Sequence, residues 1–169
     1  MEAVLAPKER VMDRAGADDF SSWVEPHLPA MHRLAARLTD PVAADDVVQE
    51  ALVRAWRRRS TYDEGRGTAA GWLLAVVADR ARRHRTRTRV HASLDEAPED
   101  GTSDAPRDLD LERAVARLSG RQRLAVELYY FVGADVATCA AAMGCAEGTV
   151  RATLHQARAR LRDLIGDES

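Results

Sequence analysis

The chain has 169 residues, of which 31% are charged and 46% hydrophobic, and its formal net charge is −2. This length allows one domain or two small ones, and the near-neutral charge excludes a uniformly basic nucleic-acid binder. Because no run of about 18 apolar residues occurs, we expect no membrane insertion, and without a hydrophobic signal core we expect a cytoplasmic protein. The arginines form three clusters, at 54–59, 80–89 and 151–162. Positive surface is therefore expected in separate patches.

Residues 18–90 are predicted to form a small helical domain after a mobile tail at 1–17. From Asp18 to Leu38 the apolar residues keep helical spacing. Pro26 and Pro29 must interrupt or bend this helix, because proline lacks the N–H that an interior helical position uses.

The next helix carries an acidic stripe. Asp40 before Pro41 predicts its start, since aspartate caps a helix and proline suits the first helical position. The side expected in the core carries Val48, Ala51, Leu52, Ala55 and Trp56. The opposite side carries Asp46, Gln49, Glu50 and Val53. Such a stripe is usually solvated. Catalysis by residues 45–50 is disfavoured, because no histidine accompanies them and no glycine-rich loop is near.

A flexible loop is predicted at 60–68 from its glycines, and Thr68 is placed to cap a helix over 69–87. The first half of this helix is apolar on nearly all sides, so we expect it to be buried. The second half carries Arg80, Arg82, Arg83, Arg85, Arg87 and Arg89. Because arginine is not buried unpaired, this end must meet solvent or a polyanion, and guanidinium groups pair well with phosphate.

Residues 91–108 are predicted to be a flexible linker, since they lack an apolar period and are rich in acids and turn-forming residues. Their negative charge could fold back onto the arginine patches or could keep the linker extended. The sequence leaves both arrangements open.

Residues 109–169 are predicted to form a second helical domain. Asp108 or Asp110 is expected to cap its first helix. Ser119 and Gln122 have the spacing of a capping box for the next helix, in which each side chain bonds to the backbone of the other residue.

The stretch 135–164 has the layout of a helix-turn-helix. A short helix, 136–143, is expected to end at Gly144, and a second helix begins near Glu147. The second helix has an apolar stripe formed by Val150, Leu154, Ala157, Leu161 and Leu164. Its other face is polar and basic, which suits entry into the DNA major groove. The alternative is an amphipathic terminal helix whose basic face is only solvated.

The chain has two cysteines, Cys139 and Cys145, both in this stretch. They could form a redox pair or half of a metal site, but no further ligand stands at zinc spacing. We therefore expect Cys139 to be a small core residue, and we expect no catalytic residues, metal or cofactor.

The predicted fold is all-α, with two small helical domains joined by a flexible acidic linker and a helix-turn-helix in the second. Four stretches resemble the extracytoplasmic-function (ECF) sigma factors of bacterial RNA polymerase, in the sigma-70 family. They are DDVVQEALVRAW (45–56), GWLLAVVA (71–78) running into the arginines, LSGRQR (118–123), and GTVR (148–151) with ARARLR (157–162). The resemblance covers about 20–89 and 110–164.

This resemblance implies that the first domain binds core RNA polymerase and the promoter −10 element, while the second binds the −35 element. The residues matching the surface for the coiled coil of the polymerase β′ subunit are Asp45, Asp46, Gln49, Glu50 and Val53. Those matching the −10 surface are Tyr62, Trp72, Arg80, Arg83 and Arg87. Those matching the −35 surface are Thr149, Arg151, Ala152, Thr153, Gln156 and Arg158. The resemblance also implies control by an anti-sigma factor.

The chain departs from the family pattern in three places. Residues 69–71 are small where the family usually has an aromatic. Asp79 stands where the −10 helix often has asparagine, and an acid there would repel phosphate. Thr153 and Gln156 are neutral where the recognition helix is usually basic, which bears on promoter sequence and affinity.

The main alternative is a stand-alone helix-turn-helix regulator, with 20–89 as a dimerisation or sensor module. It predicts a stable dimer that binds duplex DNA tightly without polymerase. A dimerisation module does not require the acidic stripe, the loop and the arginine-rich helix end. An enzyme is disfavoured because no nucleophile, base or metal ligands converge.

Overall fold

The computed structural model describes residues 16–92 and 106–166, and within these ranges every regular element is a helix. The all-α prediction is confirmed. The tail up to residue 15 and the linker from 93 to 105 lie outside the described residues. The helices are α1 (Ala17–Val24), α2 (Leu28–Leu38), α3 (Pro41–Arg57), α4 (Ala69–Ala92), α5 (Pro106–Ala116), α6 (Gly120–Val126), α7 (Val136–Met143) and α8 (Glu147–Gly166).

The prolines near the start interrupt the helices as predicted. Pro26 lies in a 3₁₀ turn between α1 and α2, and Pro29 lies in the first turn of α2. Neither occupies a helix interior, where a hydrogen bond would be lost. At α3 the Asp40 carboxylate accepts a hydrogen bond from the N–H of Val42 at 2.9 Å, so the predicted cap is confirmed.

Side chains also cap three later helices. Thr68 accepts a hydrogen bond from the N–H of Gly71 at the start of α4. Ser119 and Gln122 form the predicted capping box of α6. The Asp135 carboxylate accepts from the backbone of α7 at 2.7 Å. These ends were predictable because a cap depends on residues only two or three positions apart.

The start of α5 differs from the prediction. This helix begins at Pro106, which suits a first helical position because proline has no N–H to leave unpaired. Asp108 and Asp110 therefore lie inside α5, and the prediction that either one caps it is wrong. Helix α4 continues to Ala92, so helices occupy both ends of the range predicted to be linker.

The two halves pack directly on each other. One continuous set of buried side chains extends from Phe20 in α1 to Ala157 in α8. Helix α7 lies on α4, and α2 lies beside the segment after α6. That segment, Glu127–Val132, is a π-helix, a wider turn that often marks a functional position.

Small residues allow the contact between α4 and α7. A Cβ atom added to Gly71 would lie 2.5 Å from the Cβ of Ala141 and 3.0 Å from the carbonyl oxygen of Thr138. Gly67, with a φ of +158°, meets Ala141 in the same way at 2.9 Å. The glycine at 71 therefore has a structural reason, because a larger side chain there would separate the helices.

A charged cluster completes the contact, and we call it the Arg37 clasp. The Arg37 guanidinium donates to Glu127 at 2.7 Å and to both carboxylate oxygens of Glu112, at 2.7 and 3.0 Å. It also lies 3.7 Å from the ring centroid of Phe131. Arg123 donates to the carbonyl oxygen of Arg37 at 3.0 Å. The Glu127 side chain is fully buried, so these arginines supply the positive charge that its burial requires.

Candidate protein- and nucleic-acid-binding surfaces

The acidic stripe of α3 faces solvent. Asp46 and Gln49 are exposed, and Val53 keeps 50% of its surface accessible. The opposite face packs into the core through Val48, Ala51 and Ala55, as its spacing predicted. Asp45 is also exposed, and its carboxylate lies 3.3 Å from Nδ1 of His32. The stripe is thus available to a partner, and its contact with polymerase stays a prediction.

Glu50, at the edge of the stripe, connects two of the predicted surfaces. Both of its carboxylate oxygens lie 3.3 Å from one guanidinium nitrogen of Arg87 on α4. The first residue was predicted to contact polymerase and the second to contact DNA. The two surfaces therefore adjoin, and one ion pair crosses their boundary.

The loop before α4 leads into a half-buried aromatic cluster. The ring centroids of Tyr62 and Trp72 are 5.7 Å apart, and that of Trp23 lies 5.2 Å and 6.0 Å from them. Burial and the nearby carboxylates of Glu64 and Asp63 raise the pKa of Tyr62. A cleft of about 320 Å³ opens beside Tyr62 and Trp72. Aromatic faces beside a cleft can stack on a nucleobase.

The arginines of α4 converge on one carboxylate. Asp79 accepts from Arg82 at 2.9 Å, from Arg83 at 3.1 Å and from Arg80 at 3.3 Å. Arg54 of α3 approaches the same carboxylate to 3.9 Å. Burial opposes ionisation of Asp79, but the three hydrogen bonds from arginine outweigh it and lower its pKa below the ordinary value. Asp79 is therefore ionised at neutral pH.

The helix-turn-helix forms as predicted. Gly144 ends α7 with a left-handed φ of +63°, a conformation that glycine adopts without steric cost. The apolar stripe of α8 faces inward, with Val150, Leu154, Ala157 and Leu164 buried and Leu161 partly buried. The exposed face presents Thr149, Arg151, Ala152, Gln156 and Arg158.

Two exposed arginines of α8 have partners. Arg151 is paired with Glu147 at 3.0 Å, one turn earlier in the helix. Arg158 lies 3.0 Å from the phenol oxygen of Tyr130. Both contacts lie at the surface, where solvent weakens the ion pair of Arg151 and a phosphate can replace either partner.

The position of Thr153 differs from the one predicted for it on the −35 surface. It is only 7% exposed, and its hydroxyl donates to the carbonyl oxygen of Thr149 at 2.8 Å. Its position comes three residues after Val150 and four before Ala157, which places it on the apolar stripe. Thr153 is therefore part of the inward face, and the prediction that it lies on the exposed face is wrong.

The cysteines lie near the turn. Cys139 is fully buried, so its prediction as a core residue is confirmed. Burial raises the pKa of its thiol to about 11, which leaves little reactive thiolate at neutral pH. In the described ranges no three or more histidine, cysteine or acidic side chains gather as metal ligands would. No helix in those ranges has the length and apolar character to cross a membrane.

The sequence did not reveal the Arg37 clasp. Arg37 and Glu127 are separated by 90 positions, and no motif relates them. The one local signal is that Glu127 stands between Val126 and Leu128 in an apolar run. A lone acid in such a run predicts a buried partner but does not identify it.

The two halves match two family models. The model described as Sigma-70 region 2 matches residues 23–90, and that described as Sigma-70, region 4 matches residues 108–161. The first spans α2 to α4 and the second spans most of α5 to α8.

Similar proteins extend over both halves. The ECF RNA polymerase sigma factor SigL of Mycobacterium tuberculosis is 37% identical over 147 residues, covering 80% of this chain and 82% of that protein. The RNA polymerase sigma-E factor of Streptomyces coelicolor is 32% identical over 153 residues, covering 87% and 86%. A solved structure, the sigma factor RpoE in complex with the anti-sigma factor NepR from Bartonella quintana, is similar with a TM-score of 0.66 and 27% identity. It covers 88% of this chain and 98% of that chain.

Proposed function

Because the chain belongs to the ECF RNA polymerase sigma factors, we propose which of its surfaces perform each step of promoter recognition. A sigma factor binds core polymerase and directs it to promoters, without reaction chemistry of its own. The observation that carries the assignment is the distribution of charge. The acidic stripe on α3 and the arginines of α4 form adjoining surfaces of opposite charge, and α8 presents a further basic face.

The stripe Asp45, Asp46, Gln49, Glu50 and Val53 is the proposed contact with the β′ coiled coil of polymerase. It combines exposed carboxylates with an exposed apolar side chain, Val53. Complementary charge on a partner helix would orient the encounter, and the apolar side chain would be buried on binding. A partner rich in arginine or lysine fits this surface.

The loop at 60–68 and the arginine-rich part of α4 are the proposed −10 surface. Tyr62 and Trp72 offer aromatic faces beside a cleft, and Arg80, Arg83 and Arg87 come later along the helix. An unstacked base needs a stacking platform, and a separated strand needs cations along its phosphates. The loop and α4 supply both, since Tyr62 precedes the helix and Trp72 and the arginines lie on it.

The exposed face of α8 is the proposed −35 surface, through Thr149, Arg151, Ala152, Gln156 and Arg158. A second helix of a helix-turn-helix enters the major groove with such a face. Gln156 can pair with adenine and an arginine with guanine. Thr153 is left out because it is buried.

The packed arrangement has to open when both promoter elements are bound. The −10 and −35 elements are about 25 base pairs apart, which is about 85 Å at 3.4 Å per base pair. Helix α8 has 20 residues and so is about 30 Å long, and it begins a few residues after Ala141, which touches Gly71. The two DNA-binding surfaces therefore cannot reach both elements together until the halves separate.

We also propose an anti-sigma factor as a partner of this chain. The support is the likeness to RpoE of Bartonella quintana, whose structure was solved with the anti-sigma factor NepR and which aligns with both halves. A partner that covers the stripe and the −10 surface would prevent polymerase and DNA from binding.

Transcription with purified core polymerase tests the assignment. The chain should yield run-off transcripts from a promoter library, and Asp46→Arg should remove core binding while leaving the helical circular dichroism unchanged. Asp163→Arg, an equal charge change on an exposed acid at the end of α8, is the control and should keep core binding. Tight duplex binding by a dimer, with no core binding, would support the stand-alone regulator instead.

A further inference from the structure

We propose that Asp79 is an internal counter-ion that competes with DNA phosphate for the arginines of α4 and so limits the affinity of the free chain for DNA. The proposal rests on the proposed −10 surface. It assigns Asp79 a role in specificity, because an arginine-rich helix without a counter-ion binds any nucleic acid.

The geometry of the cluster supports competition. The Oδ1 atom of Asp79 accepts from Arg82, and Oδ2 accepts from Arg83 and Arg80. Both oxygens are thus engaged by guanidinium groups, as the oxygens of a bound phosphate would be. A phosphate and the Asp79 carboxylate cannot occupy the same donors at once.

The pairing is intramolecular and partly shielded from water. The Asp79 side chain is 24% exposed and that of Arg80 is 18% exposed, whereas those of Arg83 and Arg82 are 57% and 76% exposed. The shielded part of the cluster is therefore the carboxylate and Arg80. The Arg80 Nε atom is buried, and it has no hydrogen-bond partner within the described residues. Shielded ion pairs are screened less by salt than exposed ones. A phosphate must therefore displace a partner that is already in place.

The pair of Arg87 and Glu50 on the same face offers a comparison. The Glu50 carboxylate is 42% exposed against 24% for Asp79, so solvent competes with it more strongly and a phosphate displaces it more easily. Asp79 also engages three arginines of α4, whereas Glu50 engages one. Asp79 is accordingly the main internal competitor on this surface.

The test is the affinity of the full chain for fluorescein-labelled oligo(dT), a probe with no promoter sequence. Asp79→Asn should raise the affinity about fivefold at 0.1 M salt. The slope of the logarithm of the binding constant against the logarithm of the salt concentration should also become steeper by about 0.7. This is the change expected for one more phosphate contact on a single strand. Asp163→Asn makes the same charge change in the other half and should change neither quantity. Asp79→Glu keeps the carboxylate and should retain low affinity.

Weaker binding by Asp79→Asn, with circular dichroism unchanged, would overturn the proposal and show that Asp79 orients the arginines for DNA. Unchanged affinity would overturn it as well. Run-off transcription by the unaltered chain is measured in parallel. A failure there removes the proposed function, whereas the oligo(dT) result concerns only the counter-ion.

Discussion

Gly71 in α4 and Ala141 in α7 meet so closely that a β-carbon at position 71 would lie 2.5 Å from the Cβ of Ala141. Carbon atoms in ordinary contact are about 3.5–4.0 Å apart. The contact joins the helix proposed for the −10 element to the first helix of the helix-turn-helix. It therefore determines how closely the two promoter-binding halves can approach.

Gly71→Ala is expected to separate the halves. The added methyl group cannot fit against Ala141, although alanine favours a helix by about 1 kcal/mol over glycine. Small-angle scattering should show a larger radius of gyration, with helical content unchanged. Gly120→Ala is the control, because no atom would lie within 4 Å of its new Cβ. An unchanged radius for Gly71→Ala would show that α7 can shift locally while the halves stay packed.

A disulfide across the same contact is expected to block transcription. The hydroxyl oxygens of Thr68 and Thr138 are 3.3 Å apart, so cysteines at both positions can form a bond with little movement. The oxidised double variant, carrying Cys145→Ser to remove the partly exposed native thiol, should bind core polymerase but yield no run-off transcripts. Reduction should restore them. The single variant Thr68→Cys is the control for the altered cap of α4. Transcription by the oxidised double variant would contradict the proposal that the two halves must separate.

Arg37→Met should destabilise the packed form, because it removes the main positive partner of the fully buried Glu127. Breaking a buried ion pair on one side costs about 3 kcal/mol or more. Urea unfolding should show this loss in the free energy of unfolding. Arg113→Met is the matched control, since its pair with Asp110 is exposed and 3.9 Å long, and it should cost less than about 1 kcal/mol. Equal losses in the two variants would mean that the clasp adds little.

Arg151→Ala is expected to weaken binding of −35 DNA by about 1–3 kcal/mol if Arg151 contacts a base. The loss should be largest for one base pair of the element, measured by polymerase-dependent binding to a set of single-base substitutions. Glu147→Gln removes the intrahelical partner of Arg151 and serves as the comparison. A loss of equal size on every sequence would reassign Arg151 to phosphate contact.

Features decided by neighbouring residues were predictable from the sequence. The caps at Asp40, Thr68 and Ser119 depend on a few positions, and all three are present. The exposed position predicted for Thr153 is wrong, because this residue lies between Val150 and Ala157 on the buried stripe. A small polar side chain can be buried by bonding to its own helix, as Thr153 does.

The contact between the halves was beyond prediction. Arg37 meets Glu112 and Glu127 across 75 and 90 positions, and the small residues at 69–71 were visible only as a departure from a family pattern. The reason for Gly71 lies in α7, a distant segment whose position cannot be predicted from local spacing. The Asp79 cluster differs in this respect, because its arginines follow it by one, three and four positions, and side chains three or four positions apart meet on a helix.

The π-helix Glu127–Val132 makes the contact sensitive to chain length. A π-turn behaves as an α-helix with one inserted residue. Deleting one residue, such as Tyr129, would rotate the rest of the segment by about 100°. Phe131 would then leave its place under the Arg37 guanidinium, while α6 would stay unchanged. A one-codon insertion or deletion could thus join or release the halves during evolution without altering any residue proposed to contact polymerase or DNA.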